Sequence, residues 1–232
     1  MSPTDQDPQA HAHHLDLRAR AGRAVRDLGH ALIGHQTDDG TLEELATALD
    51  GLTARLVAGP PRSREPDTFQ RGDDWEVPDE QMELQGFDDR PVSGRSSPLG
   101  LDLHIRREQR DGGDEIVARV TLRSAHEGAP GRSHGGVVAA LFDDVYGFVL
   151  STIKQPAFTG ELGIRYVGPT PLHVPLTCRV RLASREGRKL FMTGELTVDD
   201  PSGNGPGTVC VRSTATFIAI DTTKIPGWGD GV

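Results

Sequence analysis

One dense apolar segment, at residues 137–150, constrains the fold more than any other feature of the sequence. The segment is too long for an ordinary strand, and its apolar side chains run almost all round a helix rather than along one face. A helix of this kind has to be covered on most of its circumference. We therefore predict a buried central helix with the rest of a domain wrapped around it.

Extended segments flank this helix on both sides. Before it, residues 99–106 and 115–123 alternate in character across the turn residues Asp111, Gly112 and Gly113, which predicts an antiparallel hairpin. After it come four further extended segments, at 158–167, 176–185, 190–198 and 209–220. A single helix enclosed by antiparallel strands is an α+β arrangement in which the sheet wraps the helix, as in the hotdog fold.

Two helices are predicted near the N-terminus. Residues 13–35 carry one apolar stripe, and a second stripe begins after Thr41, where Glu44 gives a capping-box spacing. The stripes consist of Leu17, Ala21, Val25, Leu28 and Leu32 in the first helix and of Leu42, Leu45, Leu49, Leu52 and Leu56 in the second. Because both helices are short, we predict a helical hairpin that packs on the main domain or on a partner subunit.

The chain is therefore divided into four parts. Residues 1–58 form the helical extension and residues 59–98 a linker rich in proline and charge, in which Trp75 and Phe87 are expected to anchor on the domain surface. Residues 99–222 form the main domain, and residues 223–232 form a C-terminal tail.

The formal net charge of −9 argues against nucleic acid and against an anionic membrane as partners. The N-terminal residues lack the order of charged and apolar residues that a secretory signal has, so a cytoplasmic protein is expected. Cys178 and Cys210 lie in separate strand-like segments without a metal-ligand spacing and are expected to be packing residues. No cofactor and no metal is expected.

Two adjacent carboxylates, Asp143 and Asp144, interrupt the apolar segment and call for an explanation. An ionised acid is costly in a low-dielectric interior unless it is paired or hydrogen-bonded. Successive helical residues point about 100° apart, so one carboxylate can enter a cleft while the other is satisfied differently. The alternative is that both are satisfied structurally, by backbone amides or by arginines such as Arg165.

The residues His134, Gly135 and Gly136 mark the start of the same helix, where free amides favour a negatively charged group. His134 and Asp143 are nine residues apart, or roughly 13 Å along the axis. They cannot act on one atom from a single chain. If the amides and the carboxylate serve one substrate, two subunits related by a two-fold axis must supply them.

The stretch HGGVVAALFD resembles the signature of PaaI-like hotdog thioesterases, and the preceding loop EGAPGRS fits the same group. The later stretch TGELGIRYVGPTPL resembles the family's central strand, with Thr159, Tyr166 and Pro169 at the corresponding positions. The resemblance covers about residues 99–222. It implies a homodimer or a dimer of dimers that hydrolyses acyl-CoA.

The resemblance also implies roles for individual residues. The amides of Gly135 and Gly136 would polarise the thioester carbonyl, Asp143 would act as base or nucleophile, and Thr159 would orient the water or the acid. His134 would fix the loop and hydrogen-bond the thioester. Further contacts with substrate are expected from Glu127, Arg132, Ser133 and Tyr166. Glu127 departs from the Asn or Gln found in one branch of the family, and it could assist catalysis or only brace the loop.

Three other functions stay open at this point. The first is a hotdog module that binds acyl-CoA without hydrolysing it, against which Asp143 and Thr159 argue. The second is a hydratase or dehydratase, which would need an Asp and His pair in a different spacing ahead of the helix. The third is a purely structural dimer. No nucleophilic-serine elbow or phosphate-binding loop is present in the sequence.

Overall fold

The computed structural model describes residues 8–62, 79, 82–84, 88–110, 112–202, 205 and 207–221. Three helices and six strands follow one another along these residues. They are α1 (Pro8–Gly34), α2 (Asp39–Val57), β1 (His104–Arg110), β2 (Gly113–Thr121), α3 (Gly135–Thr152), β3 (Ala157–Tyr166), β4 (Pro175–Glu186), β5 (Lys189–Val198) and β6 (Thr208–Ala219). A 3-10 turn, Ser124–His126, lies between β2 and the loop that leads into α3.

The six strands form one antiparallel sheet in the order β1-β2-β4-β5-β6-β3. The strands agree with the predicted segments except at the first, which begins at His104 rather than at 99. Asp102 has a positive φ of 51°, and this left-handed residue keeps the preceding stretch out of the sheet. Gly112 and Gly113 have φ of 112° and 119°, values that favour glycine, and they close the predicted hairpin.

The sheet wraps around α3, which packs on β2, β3 and β4. Half of the 18 residues of α3 are buried: Val138, Leu141, Phe142, Asp144, Val145, Tyr146, Phe148, Val149 and Leu150. By length and composition alone the helix would also qualify as a membrane span, a test that the core helix of a soluble domain passes equally. The predicted α+β architecture with an enclosed helix is confirmed.

The predicted packing cysteines are both buried free thiols in this core. Burial raises the pKa of each, and the Cys210 Sγ–H donates a hydrogen bond to the Leu196 carbonyl. Neither thiol is available as a nucleophile, because the thiolate form is disfavoured and shielded from solvent.

The N-terminal helices differ from the prediction in two respects. The N-cap of α2 is Asp38, whose carboxylate accepts from the Thr41 amide, so Thr41 lies inside the first turn instead of capping it. No residue of α2 is buried, whereas α1 docks on the domain through Gly22, Arg26 and His30. Of the two predicted alternatives, packing on the main domain is seen only for α1, and packing on a partner subunit stays a prediction for α2.

The described part of the predicted linker contributes to the core although it contains no long regular element. Leu84 joins the core cluster, and its amide donates to the carbonyl of Ile105 in β1. Ser97 is buried in the turns that lead to β1. The predicted anchors Trp75 and Phe87 and the predicted tail at 223–232 lie outside the described residues.

Candidate active site

A carboxylate on α3 and a hydroxyl on β3 form the centre of the candidate site. The Thr159 Oγ1–H donates a hydrogen bond of 2.8 Å to Asp143 Oδ1, and both residues are exposed in the single chain. A β-bulge between Thr159 and Glu161 leaves Gly160 without a partner on β6. Bulges re-aim side chains near functional sites, and here the side chain beside the bulge meets the helix. Of the two roles implied for Thr159, orienting the water or the acid, this hydrogen bond is consistent with orienting the acid.

The adjacent carboxylate has a different environment. Asp144 is only 8% exposed, and its Oδ1 accepts hydrogen bonds from Nε of Arg90 at 3.0 Å. Arg90 Nη2 also donates to the Asp144 carbonyl, and the guanidinium lies over the Phe148 ring, 4.7 Å from its centroid. Gly147 makes room for this approach, since a Cβ there would lie 2.6 Å from Arg90 Nη2. The partner of Asp144 is thus Arg90, not Arg165.

The N-terminus of α3 presents one free amide rather than the two predicted. His134 is the N-cap, and its Nδ1 accepts from the Gly136 N–H at 3.0 Å, so this amide is occupied. The Gly135 N–H finds no acceptor among the described residues. The first amides of a helix have no partners within it and carry the positive end of the dipole. Gly135 is therefore the available donor for an oxyanion.

Tyr166 joins the end of β3 to the start of α3. Its hydroxyl donates to the Gly135 carbonyl at 2.7 Å, and a Cβ on Gly135 would lie 2.8 Å from that hydroxyl. The ring is about half exposed. The hydroxyl of Tyr166, predicted to contact substrate, thus holds the helix end in this structure.

The loop before α3 is closed by Glu127. Its Oε1 accepts from the Gly131 N–H at 2.6 Å, across a turn in which Gly131 has a φ of 71°. Ser133 donates its amide to the Thr170 carbonyl, which fixes the loop to the segment after β3. The Arg132 side chain is exposed beside this loop. Of the two roles open for Glu127, this hydrogen bond supports bracing of the loop.

A histidine pair connects α1 to the same loop. His30 Nδ1 accepts from the Ala125 amide, His126 Nδ1 accepts from the Arg123 amide, and the two rings meet edge to face at 4.6 Å. The His126 carbonyl in turn accepts from the His134 amide. Burial, together with the charges of His30 and Arg123, lowers the pKa of His126 to about 4. Burial and Arg123 also lower the pKa of His30. Both rings are therefore neutral acceptors at pH 7.

This arrangement supports acyl transfer to water, since it provides an amide donor for a developing oxyanion and a carboxylate that can activate water. Within the described residues, no group of three or more His, Cys, Asp or Glu side chains could hold a metal ion. Arg90, His30 and His126 were not predicted from the sequence. Arg90 has no local signal, but Gly147 within an apolar helix indicated a close approach of another group.

Residues 131–203 match the family model described as the thioesterase superfamily. Acyl-coenzyme A thioesterase THEM4 from Mus musculus is 33% identical over 98 residues, which are 42% of this chain and 40% of the relative. THEM5 from the same organism is 29% identical over 94 residues, 40% of this chain and 36% of the relative. The chain thus matches about two fifths of the length of these curated relatives.

The crystal structure of protein RHA08564, a thioesterase superfamily protein, is similar over most of the chain. Its TM-score is 0.68 at 29% sequence identity, and the similarity covers 87% of this chain and 94% of that one. It therefore extends to the N-terminal side of the domain that the family model matches. The predicted recognition is confirmed for the domain, because residues 131–203 carry a thioesterase superfamily domain and the strands and helix around them have the hotdog thioesterase fold.

Proposed function

We propose that this protein hydrolyses an acyl-CoA thioester to the free acid and CoA at a site shared by two copies of the chain. The observation that carries the proposal is the hydrogen bond from Thr159 to the solvent-facing carboxylate of Asp143. A hydroxyl that donates to one carboxylate oxygen fixes the group and leaves the other oxygen to accept a proton from water. The names of the curated relatives support the acyl-CoA substrate.

The amide donor and the carboxylate are too far apart to act together within one chain. Gly135 and Asp143 are separated by eight helical residues, or about 12 Å along α3. Two copies related by a two-fold axis would bring the Gly135 amide of one to Asp143 of the other. In the proposed reaction the carboxylate takes a proton from the attacking water, and the Gly135 amide stabilises the oxyanion that forms. Collapse of this intermediate breaks the C–S bond, and the proton held by Asp143 passes to the departing CoA sulfur.

The edge of the sheet suits such pairing. β3 is the last strand in the sheet, and in the described structure it pairs on one side only, with β6. Three large apolar residues at this edge are exposed: Phe158, Tyr166 and Val167. An uncovered edge with apolar side chains favours pairing with another strand. We propose that β3 of the partner covers it, which gives a homodimer as the smallest active unit.

Arg132 is the exposed cationic residue nearest in sequence to the N-terminus of α3, where the Gly135 amide lies. In a chain of net charge −9, a local cation is needed to hold the phosphates of CoA. We expect Arg132→Ala to raise KM more than it lowers kcat, because phosphate contacts are made equally in the ground state and the transition state.

The first experiment measures thiol release from a panel of acyl-CoA esters. Asp143→Asn should abolish hydrolysis, since the carboxamide keeps the shape and loses the basic oxygen. Thr159→Ala should lower kcat less, because it removes orientation and leaves the base in place. Binding of acyl-CoA by the wild type without any turnover would instead support the binding module that lacks hydrolysis.

A second experiment tests the shared site by mixing two inactive variants. Gly135→Pro lacks the amide donor, and Gly135→Ala is its matched control, because it adds a similar clash with Tyr166 and keeps the N–H. When Gly135→Pro and Asp143→Asn exchange subunits, half of the dimers are mixed and each has one intact site. Activity should recover to about a quarter of the wild type. No recovery despite exchange shown by native mass spectrometry would place the whole site in one chain.

A further inference from the structure

Helix α1 docks on the domain through a polar face. Gly22 allows the helix to approach the Ser96 backbone, where any Cβ would clash. Arg26, 5% exposed, donates to the carbonyls of Arg95 and Ser97 and pairs with Asp102 at 2.6 Å. One turn further on, His30 accepts from the Ala125 amide. The spacing of four between these residues defines the docked face of α1.

The apolar stripe of α1 lies on the opposite side of the helix and faces solvent. Leu17 is 49% exposed, Val25 51% and Leu32 45%. Hydrophobic stripes on helices of soluble proteins normally face a core. In this protein the domain covers the opposite, polar face of α1, and the apolar stripe is left uncovered in the single chain.

Helix α2 presents a second uncovered stripe. All of its 19 residues are at least partly exposed, including Leu49 at 37%, Leu52 at 52% and Leu56 at 81%. Isolated helices of this length are marginal in water, because nucleation is costly and most helical stability in proteins comes from packing. Apolar side chains that line up along one exposed helix face mark a site of interaction with another molecule.

The charges of the two helices favour one partner over the others. Apart from Arg26, which is buried and paired with Asp102, α1 contains three arginines and two aspartates, whereas α2 contains four acidic residues and one arginine. Pairing α2 with another α2 would bring like charges together, and the acidic α2 would be repelled by an anionic membrane. An α1 stripe offers α2 both an apolar surface and the opposite charge. Such a stripe is available on every other copy of this chain.

We propose that α1 and α2 form an interface between two copies of the protein, in which the α2 stripe of one copy packs on the α1 stripe of the other. The stripe on α2 follows the 3-4-3-4 spacing that suits such helix packing. The interface is separate from the β3 edge and does not depend on hydrolytic activity. It would also brace the docked face of α1, which contacts the loop leading to His134 through His126.

Disulfide cross-linking between engineered cysteines tests the interface directly. The native cysteines are both buried, so among the described residues only an engineered cysteine on a helix presents an accessible thiol. Ala21→Cys, Val25→Cys and Leu28→Cys sample the α1 stripe, and each is mixed with an isotopically labelled Leu49→Cys chain under a mild oxidant. Thr47→Cys, on the opposite face of α2, is the matched control.

The expected result is a covalent pair of one labelled and one unlabelled chain. For at least one α1 position, it should form at least about tenfold faster with Leu49→Cys than with Thr47→Cys, because contact raises the effective thiol concentration. Equal rates for Leu49→Cys and Thr47→Cys at all three positions would overturn the proposal. Pairs that join only Leu49→Cys to itself would overturn it as well, since they would show α2 against α2.

A second comparison uses charge and does not depend on thiol geometry. The double variant Leu49→Glu/Leu56→Glu puts acids on the stripe, whereas Thr47→Glu/Ala54→Glu puts them on the opposite face of α2. Amide hydrogen exchange in α2 should be several-fold faster in the stripe variant than in the control. Equal exchange in wild type and both variants would refute the interface. Slow exchange that appears only with phosphatidylcholine vesicles would assign the stripe to a membrane and refute it too.

Discussion

The ion pair between Arg90 and Asp144 allows a quantitative prediction. Arg90→Met keeps most of the length of the side chain and removes its charge and hydrogen bonds. Asp144 is only 8% exposed, and in this variant its Oδ1 loses the Arg90 donor. Its Oδ2 has no hydrogen-bond donor among the described residues even in the wild type. Removing one partner of a buried pair costs about 3 to 5 kcal/mol, because the remaining charge is uncompensated. For a chain of this size the melting temperature should fall by roughly 6 to 20 °C.

Urea unfolding and calorimetry measure this loss, with Arg212→Met as the matched control. Arg212 pairs with Glu195 at 2.8 Å, but both side chains are about half exposed, and such surface pairs contribute at most about 1 kcal/mol. Asp144→Asn should cost less than Arg90→Met, since the stranded guanidinium is better exposed than the stranded carboxylate, 20% against 9%. If Arg90→Met costs no more than Arg212→Met, the reasoning about the buried charge is refuted.

Three further predictions concern the residues around the helix start. The lowered pKa of His126 means that the contribution of this neutral ring to stability is fully present above about pH 6.5 and is lost as the pH falls through about 4. Between these pH values, the urea midpoint should therefore fall less steeply with pH in His126→Gln than in the wild type. Tyr166→Phe removes the hydrogen bond to Gly135, worth about 0.5 to 1.5 kcal/mol, and should lower kcat/KM by about two- to tenfold; a larger loss would mean that the hydroxyl also contacts substrate. Glu127→Gln keeps the acceptor for Gly131 and should leave kcat near the wild type, whereas Glu127→Ala should lower it; a loss in both variants would make Glu127 a catalytic acid.

The fold was predictable because its strongest signals are local. The apolar segment that becomes α3 has a length and periodicity that only an enclosed helix satisfies, and the later strands follow from alternation between turns. The start of β1 was missed because the stretch before it is apolar enough for a strand. A positive φ at Asp102 and the burial of Leu101 place this stretch outside the sheet.

The candidate site was predictable only in part. The contact between Thr159 and Asp143 agrees with the family resemblance, and the bulge at Gly160 explains how a strand residue reaches the helix. The prediction that both glycine amides are free donors did not take into account that the N-cap side chain occupies one of them. A histidine whose Nδ1 caps the helix takes the Gly136 amide, and such a bond depends on a side-chain rotamer that no sequence pattern encodes.

The N-terminal region shows why an apolar stripe is an incomplete guide to packing. The stripe of α1 predicts its buried face under the usual rule for amphipathic helices, yet the buried residues are Gly22, Arg26 and His30. Their burial depends on partners about 70 to 100 residues away, such as Ser97 and Ala125, so it has no local signal.

These distant contacts change what the site consists of. The family model matches residues 131–203, which contain Gly135, Asp143 and Thr159. The groups that hold this helix in place lie upstream of the matched segment. Arg90 bonds to Asp144 in the middle of α3. His30 contacts His126, whose carbonyl accepts a hydrogen bond from the amide of His134 at the start of α3. Because the proposed reacting carboxylate and the proposed oxyanion donor lie on one rigid helix, any shift of α3 moves both of them together. The N-terminal region is therefore part of the positioning of the site, although none of its residues contacts Asp143 or Gly135 in the described structure.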